Sequence, residues 1–564
     1  MSRTISIGAQ DFGQLRENQC FYVDKTAFIR EWWERRDIVT LITRPRRFGK
    51  TLNMNMLDYF FSSRHPKRAD LFEDLEIWKD EKYRALQGTF PVISLSFAGI
   101  KADNFPDALA GIKKLLTGLF SQFPELYRFD GFDENERIAL NSIREAMNPI
   151  DAVYALNLLS ALLAKIHGKK VLIFLDEYDT PLQEAYVHGY WDELVTFTRN
   201  MFNNTFKTNP YLERGLMTGI TRVSKESIFS DLNNLNVVTT TSDEYATCFG
   251  FTEKEVFSAM DEQGIPESEK AAVKEWYDGF IFGRVRDIYN PWSVTMYLDK
   301  KKLDTYWANT SGNGLVSKLI QEGDVGLKQD FENLLNGGCV EAEIDEQISF
   351  SQLTGNQNAI WSLLLASGYL KVEAVLQETP ADPMLYQMVL TNLEVRLMFN
   401  RMVKAWFQNG YDFDRFVSAM LNGDEETMNY YIERVTLNTF SSFDTGGQPG
   451  ERKEPERFYH GFVLGLLADR VRTHILKSNR ESGFGRYDVI LEPKNPNDTA
   501  VIMEFKVRNA RKGEKTLEDT AQNALKQIEE KHYDADLLQR GIPSERILKY
   551  GFAFEGEQCL ILKA

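Results

Sequence analysis

Short apolar runs alternate with amphipathic stretches from Ile5 to about Leu235. The runs are Ile38–Ile42, Pro91–Phe97, Val171–Leu175 and Gly215–Ile220. Between them, apolar residues recur at the spacing of one helix face. Strands that alternate with helices form parallel sheets with helical crossovers, and an uninterrupted apolar run suits a strand covered on both faces. The pattern therefore predicts an α/β fold with a parallel sheet in this part of the chain.

The pattern becomes mainly helical from Thr252 to about Lys371, as expected for a lid or winged-helix module. Within this region Trp276–Val294 is rich in aromatic residues and glycine, which predicts a structured loop or a small hairpin. Its aromatic side chains could form a base-stacking surface, but a packed core corner is the expectation we favour. Ser441–Pro455 has the polar, glycine- and proline-bearing composition of a linker.

The loop after the first apolar run has most of a phosphate-binding motif. Gly49, Lys50 and Thr51 lie between a predicted strand and a predicted helix, the order that GxxxxGK[ST] requires. Backbone N–H groups at the helix N-terminus would attract phosphate, Lys50 would add charge, and the Thr51 hydroxyl suits Mg²⁺. The first glycine of the motif is replaced by Arg44, so we expect Arg44, Arg46 and Arg47 to supply positive charge there.

Asp176 and Glu177 follow the third apolar run directly. In open α/β sheets the carboxyl ends of the strands border the ligand site, so Asp176 is expected in a Mg²⁺ shell and Glu177 beside the attacking water. Further along, Thr218 or Thr221 is a candidate γ-phosphate sensor, and Arg222 is either a charge-neutralising residue or an ordinary surface arginine. The predicted nucleotide-binding residues are Arg44, Arg46, Arg47, Phe48, Gly49, Lys50, Thr51, Asp176 and Arg222.

A second constellation lies near the C-terminus, where Arg486–Leu491 and Ala500–Val507 read as neighbouring strands. Glu504 and Lys506 are two residues apart and therefore share a strand face, which Asp488 can join from the adjacent strand. Two carboxylates suit a hard cation such as Mg²⁺, and a lysine beside them can help prepare a water for phosphodiester hydrolysis. A half-solvated strand face with a Glu–Lys surface pair would show the same sequence pattern.

Flanking segments could complete this constellation. A predicted helix, Glu456–Leu467, would aim Glu456 and His460 at the same point, and a predicted helix over Leu517–Tyr533 offers Gln527. The basic run Lys506–Lys515 is suited to phosphate-backbone contact, although such runs are more often solvated surface.

Bulk composition limits the function classes. A chain of 564 residues holds three or more folding units, and its net charge of −16 argues against nonspecific coating of nucleic acid while allowing a local basic groove. The four cysteines lie far apart without a CxxC pair, which favours a reducing cytoplasmic location and no zinc site. The N-terminus lacks an apolar signal core, and we expect no membrane span and no membrane partner.

In combination, these motifs resemble the bacterial AAA-ATPase-like proteins that carry a C-terminal nuclease-like domain of the PD-(D/E)XK superfamily. The motifs are YVDKT (Tyr22–Thr26), TRPRRFGKT (Thr43–Thr51), FLDEYD (Phe174–Asp179), TGITRVSKESIFSDLNNL (Thr218–Leu235), WYDGF (Trp276–Phe280), YNPWS (Tyr289–Ser293), FYHGFVLGLL, MEFKV and ALKQIEEKHY. The resemblance covers nearly the whole chain. In this family the missing first glycine of the phosphate loop is usual.

The resemblance implies three regions: a P-loop ATPase domain at residues 1–245, a helical lid or winged-helix-like region at 246–390, and a restriction-endonuclease-like domain at 391–564 with its core at 455–564. Carried over by motif, Lys50, Thr51, Asp176 and Glu177 would serve nucleotide and Mg²⁺. Asp488, Glu504 and Lys506 would form the nuclease triad, with Asp488 and Glu504 as metal ligands.

The resulting expectation is an ATP-regulated, Mg²⁺-dependent nuclease acting on nucleic acid, with DNA favoured over RNA by the resemblance alone. A nucleotide-switched signalling or scaffold protein, whose nuclease-like domain only binds a partner, stays open as the alternative. Homo-oligomerisation is also open, and a hexameric ring is not implied because no arginine finger can be assigned.

Overall fold

The computed structural model describes residues 2–564 except 222–228, 230–231, 309–313, 324, 346–352, 354–355, 378, 380–381, 407–410, 433–434, 436–461, 464, 467–472, 481–486, 510–512 and 556–557. The chain forms two compact units. The first comprises Met1–Ser311 and Ala342–Glu394, and the second comprises Gly312–Glu341 and Val395–Ala564. The three-region division expected from the sequence stays a prediction.

Strands and helices alternate through much of the chain. The strands are β1 (Val39–Thr43), β2 (Val92–Ser96), β3 (Val171–Asp176), β4 (Leu212–Gly219), β5 (Leu235–Val238), β6 (Phe251–Thr252), β7 (Phe280–Phe282), β8 (Val285–Tyr289), β9 (Val340–Glu343), β10 (Leu370–Leu376), β11 (Leu385–Leu390), β12 (His474–Arg480), β13 (Tyr487–Pro493), β14 (Ala500–Val507), β15 (Ile547–Glu555) and β16 (Gln558–Lys563).

The helices are α1 (Phe12–Glu17), α2 (Ala27–Arg35), α3 (Lys50–Phe61), α4 (Glu81–Arg84), α5 (Phe105–Ser121), α6 (Glu125–Arg128), α7 (Glu134–Ser142), α8 (Pro149–His167), α9 (Thr180–His188), α10 (Trp191–Phe202), α11 (Glu253–Glu262), α12 (Lys270–Tyr277), α13 (Pro291–Lys300), α14 (Gly314–Glu322), α15 (Val325–Leu335), α16 (Gln357–Ala366), α17 (Leu393–Trp406), α18 (Tyr411–Asn422), α19 (Leu517–Glu530) and α20 (Ala535–Gln539). Short 3₁₀ turns lie at Ala69–Leu71, Glu76–Lys79, Glu267–Glu269 and Ser544–Arg546, and a π turn lies at Asn203–Lys207.

The first unit is built on a five-stranded sheet in the order β2–β3–β4–β1–β5, whose strand pairs are all parallel. The predicted α/β class and parallel sheet are therefore confirmed. One face of the sheet is covered by α2 and α3, where the rings of Trp32, Phe61 and Phe174 meet edge to face. This packing holds the carboxyl ends of β1, β3 and β4 side by side, which is where open sheets of this kind bind ligands.

The aromatic segment Trp276–Val294 contains the antiparallel hairpin β7–β8, as predicted. Tyr277 and Tyr289 of this segment are buried in one core cluster, so these two rings form a packed core corner and not a base-stacking surface. A second antiparallel pair, β10–β11, adds strand structure to a region that the sequence predicted as mainly helical.

Helix α8 is long and apolar enough, by length and composition alone, to cross a membrane. The expectation that no stretch approaches a membrane span is therefore wrong for this helix. Asn148 caps its N-terminus by accepting the Asp151 N–H, and Gly168 at φ 62° ends it. Leu156, Leu159 and Leu163 are buried within the first unit, so one face of α8 packs into its core.

The second unit contains a mixed five-stranded sheet in the order β12–β13–β14–β15–β16. Only the β14–β15 pair is parallel within this described sheet. Helix α19 contacts β14 and β15, and Ala500, Ile502 and Ile528 form part of the cluster between them. The predicted linker, Ser441–Pro455, lies outside the described residues.

Glu394, at the start of α17, is a fully buried carboxyl group in the first unit. It accepts hydrogen bonds from Ser293 Oγ at 2.8 Å and from the Ala308 N–H at 3.3 Å. Burial raises the pKa of Glu394 to about 7, and these hydrogen bonds only partly oppose the rise. Because the folded pKa exceeds the ordinary value of 4.5, the native state binds more protons than the unfolded state between these values, and stability falls as pH rises through this window.

We therefore expect Glu394→Gln to remove part of the pH dependence of unfolding. The wild-type and variant proteins should unfold at similar urea concentrations at pH 4, whereas at pH 8 the variant should be more stable by about 3 kcal/mol or less. Tryptophan fluorescence during urea unfolding measures the difference. Glu275→Gln, at an exposed glutamate of α12, is the matched control and should follow the wild-type curve.

A pH dependence that is the same for Glu394→Gln and the wild-type protein would contradict this account.

Candidate functional site

The first candidate site lies where β1 turns into α3. Gly49 takes the left-handed conformation at φ 81° as the N-cap of α3. The Lys50 ammonium is almost fully buried and donates to the carbonyl oxygens of Arg44 and Pro45, each at 2.9 Å. Burial lowers the pKa of Lys50, and the charge of Asp176 opposes the change. A desolvated ammonium beside a helix N-terminus is an arrangement that an anion would stabilise.

Two side chains from different elements meet at Asp176, the last residue of β3. Thr51 Oγ1, from α3, donates to Asp176 Oδ2 at 2.6 Å. Thr218 Oγ1, from β4, donates to the other carboxylate oxygen. A carboxylate and hydroxyl oxygens are the ligands that Mg²⁺ prefers, so this donor set fits the cation expected from the sequence. Of the two threonines that the sequence left open, Thr218 is the one that contacts Asp176.

Glu177 follows at φ 52°, in the left-handed region that side-chain-bearing residues seldom adopt. Its carboxylate accepts a hydrogen bond from Thr180 Oγ1 at 3.2 Å. Non-glycine residues in this conformation concentrate at functional sites, because the surrounding structure must hold them there. Glu177 is thus presented at the turn after Asp176, at the sheet edge where the sequence placed the attacking water.

Asp179 is a site residue that sequence reasoning missed. Its Oδ2 accepts the N–H groups of Ile220 and Thr221 at 2.9 and 3.0 Å, and Thr221 Oγ1 at 3.1 Å. The carboxylate therefore ties the turn after β3 to the end of β4. The motifs FLDEYD and TGIT could have indicated that Asp179 lies near Thr221. No spacing rule predicts which backbone N–H groups a carboxylate will bind, so the contact was missed.

Arg44 has a different role from the one predicted. Its side chain is fully buried, and Nη1 donates to the carbonyls of Thr43 and Thr239 while Nη2 donates to that of Glu244. The guanidinium also lies 4.4 Å from the ring centroid of Phe282. The prediction that this side chain directs its charge toward a phosphate is therefore wrong, because the guanidinium binds backbone carbonyls inside the protein.

The other loop residues divide between core and surface. The Phe48 ring is buried against Phe280, so any contact of Phe48 with a ligand falls to its backbone. Arg47 is exposed, and its guanidinium lies 4.6 Å from the ring centroid of Trp292. Arg46 is exposed as well. Arg222 lies outside the described residues.

Replacing Arg44 by the glycine of the phosphate-loop motif should destabilise the protein. Arg44→Gly would leave the carbonyls of Thr43, Thr239 and Glu244 without their charged donor, and each such hydrogen bond contributes about 1.5–3 kcal/mol. We expect a loss of about 3 kcal/mol or more in the free energy of unfolding, measured from urea curves. Arg46→Gly, the same change at an exposed position of the same loop, should cost about 1 kcal/mol or less.

If the two glycine variants unfolded at the same urea concentration, the buried contacts of Arg44 would make no net contribution to the free energy of unfolding.

The second candidate site lies on β14. Glu504 is fully buried and pairs in register with Asp488 of β13 on one side and Gly551 of β15 on the other. Its carboxylate accepts a hydrogen bond from Gln527 Nε2 of α19. Lys506 is half-buried and lies two residues further along the same strand, hence on the same face. The side chain of Asp488 lies outside the described residues, but the register brings its backbone beside that of Glu504.

Close packing of α19 on the sheet explains how Gln527 reaches Glu504. A capping box of Thr516 and Asp519 begins the helix. One turn later the Ala521 carbonyl lies only 2.3 Å from where a Cβ on Gly551 would be, so only glycine fits at that point of β15. Gln527 is two turns further along and lies over the strand that bears Glu504, as the sequence predicted. A buried carboxylate with a second one in register suits a divalent cation.

Part of the basic run Lys506–Lys515 makes ion pairs and hydrogen bonds within the second unit. Arg508 pairs with Glu555 and donates to the carbonyl of Lys515. Glu514 is buried and accepts hydrogen bonds from the Asn509 N–H, Thr520 Oγ1 and Asn523 Nδ2. Although burial raises its pKa, these donors and the charge of Lys506 make the net shift downward. The predicted partners Glu456 and His460 lie outside the described residues.

Gly551→Ala should displace α19, because the new methyl group would collide with a backbone oxygen that cannot rotate away. Overpacking of this kind costs about 1–3 kcal/mol, and we expect a fall of that size in the unfolding free energy from urea curves. Gly314→Ala is the matched control in the same unit, because a Cβ there meets nothing within 4 Å. Equal unfolding midpoints for the two variants would show that the helix accommodates the methyl group.

Both candidate sites lie in parts of the chain that match known protein families. Residues 6–229 match the family of predicted AAA-ATPases, and residues 454–564 match the PD-(D/E)XK nuclease superfamily. The first match includes four of the five strands of the parallel sheet, β1 to β4, and the second includes the mixed sheet. A relative from Azotobacter chroococcum mcd 1, described as an uncharacterized protein in the vnfD 5' region, is 26% identical over 560 residues, which is 96% of this chain and 95% of the relative.

Proposed function

Because the chain combines an AAA-ATPase-like domain with a domain of the PD-(D/E)XK nuclease superfamily, we propose that it is an ATP-regulated, Mg²⁺-dependent nuclease that hydrolyses phosphodiester bonds in DNA. The observation that carries the proposal is the buried Glu504 carboxylate, in register with Asp488 and held by Gln527. A half-solvated surface pair would not require a fully buried carboxylate with a hydrogen bond from a neighbouring amide, so these two features favour a functional site. The choice of DNA rests on the resemblance to the family.

In the nucleotide half, Lys50 binds the outer phosphates of ATP and the start of α3 presents its backbone N–H groups to them. Thr51 and Asp176 would hold Mg²⁺, which when bound neutralises charge on the phosphate oxygens. Thr218 keeps the Asp176 carboxylate in place through its hydrogen bond. Glu177 orients the attacking water from the turn after β3 and accepts its proton.

In the nuclease half, Asp488 and Glu504 would hold a divalent cation, which when bound stabilises the negative charge that develops on the scissile phosphate. Lys506 lies on the same face of β14 and orients the attacking water or stabilises the charge of the phosphate. Gln527 acts as a positioning residue, because it donates to Glu504 and to the hydroxyl of Tyr533 at 3.3 Å.

A second candidate function, a nucleotide-switched scaffold that binds a partner without cleaving it, is favoured by one observation. Arg508 of the basic run is already paired with Glu555, which reduces the positive charge open to a nucleic acid backbone. In a scaffold, Mg²⁺ or Mn²⁺ affinity would not depend on Glu504. Calorimetric titration of Mn²⁺ into wild-type protein and Glu504→Gln therefore separates the two functions.

The main test combines cleavage and nucleotide binding. Purified protein would be incubated with linear DNA, circular DNA or single-stranded RNA, with Mg²⁺ or Mn²⁺ and with or without ATP. Asp488→Ala and Glu504→Gln should each lower cleavage by about 10²–10⁴-fold, since they remove groups that act in the chemical step, and both should keep nucleotide affinity. Lys50→Ala should abolish nucleotide binding.

Two exposed positions provide controls. Glu518→Gln on α19 should cleave as the wild-type protein does, and Lys67→Ala should keep nucleotide affinity. Undiminished ATP affinity in Lys50→Ala would refute the nucleotide half. Nucleotide binding without cleavage of any substrate would refute the nuclease half and favour the scaffold.

A further inference from the structure

Three arginines belong to the phosphate loop, and the structure uses each of them differently. The guanidinium of Arg44 is buried among backbone carbonyls, and that of Arg47 lies over the Trp292 ring. Arg46 is exposed, and its Nη2 donates to Gln183 Oε1 at 3.3 Å, a weak contact with a neutral group. Among the described residues Arg46 thus makes one long hydrogen bond to a neutral side chain, so little opposes the movement of its guanidinium to an anion.

The partner of Arg46 is itself fixed at the edge of the sheet. Gln183 lies on α9, the helix that begins directly after the Glu177–Asp179 turn. Its Nε2 donates to Asp179 Oδ2 at 3.1 Å, the same oxygen that accepts the N–H groups of Ile220 and Thr221. This chain of hydrogen bonds keeps Arg46 beside the carboxyl ends of β3 and β4, where the outer phosphates of a nucleotide would lie.

Arg46 is also within electrostatic reach of Lys50. Burial is the main cause of the lowered pKa of Lys50, and the positive charge of Arg46 adds to it. Two cations close together on one loop repel each other unless an anion lies between them. Lys50 reaches the outer phosphates from the start of α3, whereas Arg46 lies on the side of Gln183 and Asp179, so Arg46 can approach the terminal phosphate from a second direction.

We propose that Arg46 contacts the terminal phosphate and thereby distinguishes a nucleoside triphosphate from a diphosphate. This inference rests on the proposed nucleotide site. When a triphosphate binds, the guanidinium leaves the neutral amide of Gln183 for a doubly hydrogen-bonded contact with phosphate, which is stronger because both groups are charged. A diphosphate does not extend that far, so Arg46 stays on Gln183.

The test measures the affinities of AMP-PNP and ADP separately, by calorimetry of the full-length protein in Mg²⁺. The wild-type protein should prefer AMP-PNP. Arg46→Ala should lose about tenfold or more in AMP-PNP affinity, since one charge-assisted hydrogen bond alone has an effect of that size, while its ADP affinity should change by less than about threefold. Arg30→Ala, at an exposed arginine of α2, is the matched control and should leave both affinities unchanged.

Gln183→Ala distinguishes a phosphate contact from a merely structural role. This variant keeps the guanidinium and removes only its resting partner, so it should retain the preference for AMP-PNP. Equal losses of AMP-PNP and ADP affinity in Arg46→Ala, or loss of the preference in Gln183→Ala, would overturn the inference. A wild-type protein that binds neither nucleotide would instead refute the proposed function.

Discussion

Asp176, at the end of β3, a central strand of the sheet, is only 3% exposed. The side chains around it in the first unit compensate the cost of burying its carboxylate. A buried charge is tolerated only with hydrogen-bond donors and nearby opposite charge. Thr51 and Thr218 donate from the two elements that flank β3 at its end, and the Lys50 ammonium lies within electrostatic reach. Each of these partners depends on the parallel order of β3, β4 and β1. The fold and the candidate site therefore have one physical basis.

The second unit meets the same requirement in another way. Glu504 lies within β14 and not at its end, so a neighbouring helix must supply the donor from above the sheet. The helix can approach only because its Ala521 faces a glycine, Gly551, on the adjacent strand. Two unrelated architectures thus bury an acid, one through strand order and the other through close packing of small residues.

The sequence predicted most of what depends on local pattern. Four of the five strands of the parallel sheet, the β7–β8 hairpin and the placement of Gln527 near Glu504 all follow from periodicity, turn residues or motif spacing. What it missed depends on side-chain direction and on distant partners. Arg44 sits in a motif of known chemistry, yet its side chain turns inward to carbonyls about 200 residues away in sequence, with separations of 195 and 200. Asp179 accepts two backbone N–H groups that lie more than 40 residues away in sequence, and the apolar length of α8 does not by itself tell a packed helix from a membrane span.

The inward-facing Arg44 also bears on how a ligand would be bound. A glycine-rich phosphate loop is free to move until its anion arrives, and ordering it then opposes binding through lost conformational entropy. Here Pro45 restricts the backbone, and Arg44 anchors the loop to the carbonyls of Thr239 and Glu244, which are contacts within the fold itself. Most of the ordering is thus completed during folding. The loop meets its anion in a preorganised state, and the entropy lost on binding is confined to the few side chains that remain mobile.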